Sequence, residues 1–475
     1  MIEALGRDAV ISEREQLRTY ECDGLTSYRV IPGLVVFPET AEDVQAAVRI
    51  CYEEGVPFVA RGSGTGLSGG ALPVESGVLI VMSRMRRILE VDMANARVVV
   101  EPGVINLWVT EAVAPFGYYY APDPSSQVIC SIGGNVAENS GGAHCLKYGF
   151  TTTHVTGLEV VLPNGEIAHL GGKAPDTPGY DLMGAFVGSE GTLGIATRIT
   201  LRVIRKPEKV ETLLAAFGSV DEAGGAVSGI IASGILPAAI EMMDPLSIEA
   251  AESAVHPNYP KGAGALLIVE LDGPAADVTH GMEEVKRICA ENRAFEVRVA
   301  RDAEERALIW KGRKASFAAM GRISPDYYIQ DGVIPRTALP QVLRTIGELA
   351  AEAGFRVANV FHAGDGNLHP LVLYDAEVPG EAERAEELAG EILRVCLDHG
   401  GSITGEHGVG FDKKKYMAQM FTAADLDTMQ LVRCAFDPGH LCNPGKVFPT
   451  PRLCGERPGP DRPPPAQEAG LAEIF

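Results

Sequence analysis

No CxxC pair occurs in this sequence, although nine cysteines are scattered at positions 22, 51, 130, 145, 289, 396, 434, 442 and 454. Iron–sulfur and zinc-finger ligand spacings are therefore absent, and an odd number of dispersed thiols is the pattern of a reduced, intracellular chain. The N-terminal stretch MIEALGRDAVISEREQLRTYECD lacks an apolar core of signal-peptide length, and no apolar run reaches the roughly 18 residues of a membrane span. These absences predict a soluble cytoplasmic protein that could reach the inner membrane only through partners. Positive charge is also short, with Lys+Arg 41 against Asp+Glu 63 and a net charge of −22. That argues against nucleic acid or an anionic membrane surface as the main partner, and it obliges any anionic substrate to find a locally positive pocket.

What the chain has in quantity is glycine, 54 residues in 475. Many cluster in loops, where a bare backbone can approach a ligand closely. The length exceeds that of a single core, so two or three domains are expected. Short strands and helices alternate in the first part. Thr40 is placed to N-cap a helix through about Glu54, with Gly55 as its stop. Asn164–Gly165 marks a hairpin, and the strand Ile195–Arg205 runs into Lys206–Pro207, a domain boundary. From Glu211 onward, strand–helix repeats predict an α+β domain with helices packed on one antiparallel sheet. A last helix, about Ala423–Phe436, precedes DPGHLCNPGKVFP, and the tail 450–475 is proline-rich and reads as extended or mobile. The expected division is 1–206, 207–422, a returning segment 423–449, and the tail.

Three loops carry the glycines. Arg61-Gly-Ser-Gly-Thr-Gly-Leu-Ser-Gly-Gly70 follows a strand and can form an anion nest for a pyrophosphate. It is neither a Walker loop nor a Rossmann fingerprint. PDPSSQVICSIGGNVAENSGGAHCLKYG (122–149) and FVGSEGTLGI (186–195) are the second and third. A compact domain seldom spends so much chain on irregular structure, so the three together suit a long ligand such as a dinucleotide.

The other concentration is of imidazoles. FHAGDGNLHP (361–370) sets His362 and His369 on either side of the AGDGN turn, and GEHGVG (405–410) adds Glu406 and His407. Two imidazoles and a carboxylate suit Zn²⁺, Mn²⁺ or Fe²⁺ and leave coordination positions open, while a further histidine can act as a base near neutral pH. Asp365 and Asn367 read as turn residues. His144 stands open between a ligand-facing and a loop role.

These motifs, with TGEHGVG and FDPGHLCNPGKVF, occur in the order found in the FAD-linked 2-hydroxyacid dehydrogenases and oxidases, a branch of the vanillyl-alcohol-oxidase-like flavoproteins, and the chain resembles that family over roughly residues 30–450. GRISPDYYIQDGVIP and VANVFHAGDGNLHP are most similar to the FAD-bearing subunit of bacterial glycolate oxidase. The resemblance implies a two-subdomain FAD-binding domain of the vanillyl-alcohol-oxidase type and an α+β substrate (cap) domain with an antiparallel sheet. It places Arg61, Gly62, Ser63, Gly64, Thr65, Gly66 and Leu67 around the FAD pyrophosphate. Pro122, Asp123, Ser126, Gly133, Asn135, Ser140 and Gly141 follow along the ribityl and isoalloxazine region. Glu190, Gly191 and Ile195 line another part of the cleft, and Asn443 and Lys446 return from the C-terminal side. No histidine lies in the first glycine loop, which implies non-covalent FAD.

By the same resemblance His362, His369 and Glu406 bind a divalent metal, His407 is the base, and Arg313 in IWKGRKASF binds the substrate carboxylate. A guanidinium recognises a carboxylate in a planar, bidentate way that an ammonium does not. Relatives acting on larger diacids carry a lysine in the strand that here reads Tyr328-Ile329-Gln330-Asp331, so a small acid, glycolate or D-lactate, is favoured over D-2-hydroxyglutarate. Lys413–Lys415 could aid anion entry, although such a charge run is usually a solvated face. Iron–sulfur and haem ligands are lacking, so electrons must leave to a companion subunit, quinone or dioxygen, and the resemblance implies companions that include an iron–sulfur subunit. Two readings from other classes stand beside it. A metal-dependent hydrolase accounts for the His/His/Glu set but not for the glycine loops. A non-catalytic assembly subunit leaves the intact histidine segments unexplained.

Overall fold

The computed structural model describes residues 1–174 and 178–449. The chain forms two compact units. The first contains 1–141, 150–205 and the stretch from Glu406; the second contains 142–149 and 206–405. The proline-rich tail 450–475 lies outside the described residues.

Two main sheets build the first unit. One is four-stranded, in the order Val10–Ile11, Leu34–Val36, Val78–Val81, Phe58–Arg61, with the last three parallel. Parallel neighbours need a crossover, and the helix Ala41–Glu54 supplies it. Thr40 and Asp43 form a capping box at its start and Gly55 closes it at φ 64°. Val44, Ala47, Val48 and Cys51 recur at helical spacing and are buried against the sheet. The second sheet is antiparallel, in the order Ile88–Asp92, Arg97–Val100, Ile195–Arg202, Val155–Val161, Ile167–Gly171. Its last two strands are the expected hairpin about Asn164–Gly165.

The second unit is a seven-stranded, wholly antiparallel sheet in the order Glu296–Val299, Lys209–Phe217, Ala265–Gly273, Ala239–Met243, Arg356–His362, Pro370–Tyr374, Asp326–Ile329. Side chains alternate across its faces. Leu213, Ala215, Phe217, Ile240, Met242, Leu267, Val269 and Phe361 share a core with the helices Val220–Ala232, Ala275–Glu291, Leu339–Ala353 and Glu381–Asp398. The opposite parity carries Thr212, Glu241, Glu270 and His362, and the helix Ala303–Ala319 reaches these polar groups. One face of the sheet thus carries the hydrophobic core and the other the ionisable side chains.

The division departs from the expected one in two places. The chain rejoins the first unit at Glu406 rather than 423, because Val409 and Gly410 donate to Glu190 while Phe411 and Asp412 donate to the Ser68 carbonyl. Residues 142–149 belong to the second unit, because Lys147 and Tyr148 bond Asp272 and His144 bonds Glu270. The stretch 122–149 is also less irregular than its composition implies, holding the short helices Ile132–Glu138 and Cys145–Tyr148. Helix Glu381–Asp398 was not among the expected elements, although Leu388, Ile392 and Cys396 carry its spacing.

Candidate active site

Within the first unit the three glycine loops converge. Gly188 and Glu190 donate to the carbonyls of Val136 and Ala137 at 2.9 and 2.8 Å. A Cβ on Gly62 would stand 2.2 Å from Ser131 Oγ, so a larger residue would displace the hydroxyl that caps the helix Ile132–Glu138. Gly133 is equally confined, 2.6 Å from Pro102. Among the described residues, none of the backbone N–H groups of residues 62–70 donates a hydrogen bond within the protein. Buried N–H groups are almost always paired, so a row of free donors on a bare backbone is a binding surface for an anion. The loop fits the pyrophosphate of FAD.

Arg61 serves this loop from beneath. Its guanidinium donates to the Tyr20 carbonyl at 3.1 Å and to that of Cys22, and burial followed by Asp23 governs its charge, the burial lowering its pKa. Pro122 and Asn135 are held by Asn106, whose amide donates to the Pro122 carbonyl and to Asn135 Oδ1 at 3.2 and 3.0 Å. The Ser126 carbonyl accepts from Ile129 and Cys130, and that of Ser140 from Thr151. A Cβ on Gly141 would lie 2.7 Å from Glu406 Oε2. Ile195 opens a strand, and the Gly191 carbonyl meets Cys442 Sγ at 3.0 Å.

Buried charge closes this region. Glu190 takes N–H bonds from Val409 and Gly410 at 2.6 Å each, yet burial still raises its pKa. Asn443, at φ 46°, donates to the Gly70 and Glu190 carbonyls, and Lys446 Nζ donates to Leu72 O at 2.9 Å and meets Asn443 Oδ1 at 3.2 Å. Burial, with Lys414 next, lowers the Lys446 ammonium to about 7. Glu406 and His407 stand in this unit, at the start of its returning segment.

Within the second unit His362 ends one hairpin strand and His369 precedes the next, their rings 5.1 Å apart and near perpendicular. Gly366, at φ 84°, permits the turn between them; a Cβ there would lie 2.1 Å from the Ile334 carbonyl. Asp365 Oδ1 accepts from Asn367 N at 3.1 Å within the turn. Asn367 reaches Asp331 Oδ1 at 2.7 Å, and Thr404 and Gly405 bond Asp331 Oδ2 at 2.6 and 3.0 Å. His369 Nδ1 stands 3.9 Å from Asp331 and its ring meets the edge of Phe317 at 5.7 Å. His362 Nδ1 lies 2.7 Å from Glu241 Oε1, whose other oxygen accepts from Arg313 Nε at 2.7 Å and lies 2.6 Å from Nη2 in an ion pair. Burial alone would raise the Glu241 carboxyl, but Arg313 and then His362 hold it below the ordinary glutamate value. A carboxylate can only accept, so the 2.7 Å contact is donated by Nδ1–H of His362, the arrangement that metal-binding imidazoles use.

Sequence reading passed over Glu241, Asp331 and Glu270, which accept the bonds of His362, Asn367 and His144. Glu270 takes His144 Nε2 at 3.1 Å, Trp310 Nε1 at 2.7 Å and Arg306 through two nitrogens. The available signal was a lone acid inside an apolar strand, as in AIEMM (239–243).

Comparison with known proteins accords with this arrangement. Residues 206–447 match the family "FAD linked oxidases, C-terminal domain", and residues 32–171 match "FAD binding domain". The chain belongs to the FAD-linked oxidases. It is 53% identical over 447 residues to the glycolate oxidase subunit GlcD of Escherichia coli (strain K12), covering 94% of this chain and 90% of that one. Identity to GlcD of Bacillus subtilis (strain 168) is 41%, over 90% and 92% of the two chains. The D-lactate dehydrogenase of Anaerostipes hadrus is 33% identical, over 88% and 89%. In fold, this FAD-linked oxidase is similar to p-cresol methylhydroxylase with substrate bound, with a TM-score of 0.79 at 18% identity over 94% and 95% of the chains. These are folds of the vanillyl-alcohol-oxidase type, as the sequence resemblance implied. Among the described residues no helix is long and apolar enough to cross a membrane.

Proposed function

We propose that this FAD-linked oxidase converts a small 2-hydroxy acid, glycolate before D-lactate, to the 2-oxo acid. The observation that carries the reading is the pairing of an oriented imidazole at His362 with a second at His369, in a chain 53% identical to a glycolate oxidase subunit. FAD, held non-covalently by the loop 61–67, supplies the two-electron acceptor at N5 for the hydride of the α-carbon. A divalent cation (Zn²⁺, Mn²⁺ or Fe²⁺) on His362, His369 and Glu406 supplies Lewis acidity at the substrate hydroxyl. Glu406 follows Gly405, whose N–H is fixed by Asp331, by a single peptide link of about 3.8 Å between Cα atoms.

His407 takes the hydroxyl proton at an imidazole nitrogen. Arg313 receives the substrate carboxylate with a charge already shared with Glu241, so it orients the acid more than it attracts it. The absence of a lysine in Tyr328–Asp331 favours a small acid. The relatives named GlcD are subunits, and by that likeness this chain works with companions, one of them carrying iron–sulfur clusters, that accept the electrons.

The test is anaerobic flavin bleaching by a panel of 2-hydroxy acids, with and without a chelator. Bleaching by glycolate that the chelator abolishes and added Mn²⁺ restores is the expected result. Bleaching indifferent to chelator removes the metal from the reading, and no bleaching by any hydroxy acid removes the reaction.

A further inference from the structure

A glutamate in the middle of an antiparallel strand, flanked by Ile240 and Met242 and wholly shielded from solvent, needs partners to remain charged. Glu241 has two, and they differ in kind. The register of the sheet sets Glu241 directly across from His362, so the two side chains share one face and one oxygen meets Nδ1. The helix Ala303–Ala319 brings Arg313 to the other oxygen, with the guanidinium as deeply buried as the carboxylate.

We infer that Glu241 is a positioning residue for the metal-bearing site: its carboxylate fixes His362 in the tautomer that presents Nε2, while its second oxygen keeps the Arg313 guanidinium from turning toward the imidazole. The inference rests on the reading of His362 as a metal ligand. Replacing the carboxylate by an amide offers His362 a group that can donate as well as accept, so Nδ1 is no longer obliged to carry the proton. It also leaves Arg313 buried without its counter-charge, a cation beside an imidazole that is meant to hold another cation. Both changes act against the metal, and neither removes an atom that touches it.

The test uses the full chain with FAD bound and Mn²⁺ as the probe, with free Mn²⁺ counted by electron paramagnetic resonance. Glu241→Gln is expected to weaken Mn²⁺ binding by roughly 10- to 100-fold, the usual loss when the partner of a metal-bound histidine is removed. Turnover of glycolate by the variant recovers as Mn²⁺ is raised. A merely structural role lowers the melting temperature without moving the Mn²⁺ affinity of flavin-loaded protein. Because Glu241→Gln strands a buried arginine and can fail to fold, Glu241→Gln/Arg313→Met is measured beside it. The double variant removes the stranded charge but still deprives His362 of its carboxylate, so a smaller loss, still at least about tenfold, should remain. Mn²⁺ affinity within about twofold of the parent in either folded variant, while His362→Ala loses the ion, overturns the inference and leaves the metal reading intact. Retention of Mn²⁺ by His362→Ala overturns both.

Discussion

Asn443 donates its side-chain amide to two carbonyls at once, those of Gly70 at 2.9 Å and Glu190 at 2.6 Å. One buried side chain thus ties the end of the first glycine loop to the third, from more than 250 residues further along the chain. Leaving two buried carbonyls unpaired costs about 1–3 kcal/mol each. Asn443→Ala should therefore lower the melting temperature and release flavin on gel filtration. Asn443→Gly tolerates the φ of 46° and should lose slightly less, which a side-by-side thermal scan checks.

The contact between Gly62 and Ser131 leaves no room for a methyl group. Gly62→Ala has to displace the Ser131 hydroxyl from its cap on the helix Ile132–Glu138 and crowd the row of free N–H groups. Flavin affinity is expected to fall at least about tenfold, or ~1.4 kcal/mol, read by flavin-to-protein absorbance across dilutions.

Lys446 gives the flavin-free protein a pH dependence of a definite sign. Burial holds it at about 7 against the ordinary lysine value of 10.5, so between these values the unfolded chain holds a proton that the folded chain does not. Stability at this site therefore rises with pH across that window, by at most about 1.4 kcal/mol per pH unit, and is flat below it. Urea midpoints of the parent should climb from pH 7 to 9.5 relative to those of Lys446→Met. Parallel curves would refute the assignment.

Glu270 gives a dependence of the same sign, but in the acid range. Burial would raise its pKa, but the bonds from His144 and Arg306 hold it well below the glutamate value. Its contribution is complete above the unfolded value and drains away as pH falls below it. Glu270→Gln should cost about 2–3 kcal/mol at pH 7, and the gap to the parent should narrow toward pH 3 in urea titrations.

Local chemistry was legible in the sequence and long-range pairing was not. Thr40 and Gly55 announced the helix they bound because a cap and a left-handed stop act within a few residues. The glycine loops and the histidine hairpin were equally plain, since each motif is contiguous. Glu241 was passed over because its partners lie 121 and 72 residues away and are chosen by sheet register and helix placement. The return of the chain at Glu406 was misplaced for the same reason. It is decided by N–H groups that seek a carboxylate 219 and 220 residues earlier.

The discontinuity of the first unit imposes an order on biosynthesis. Residues 1–141 and 150–205 leave the ribosome well before the segment that begins at Glu406, with the whole of 206–405 emerging in between. Until that last segment arrives, Glu190 lacks the amides of Val409 and Gly410, and the carbonyls of Gly70 and Leu72 lack Asn443 and Lys446. The nascent first unit is left with a buried acid and open loops while the second, nearly contiguous, is free to fold. Released chains that end before residue 406 should hold the antiparallel sheet and no competence to retain flavin, so cofactor capture becomes the closing event of synthesis.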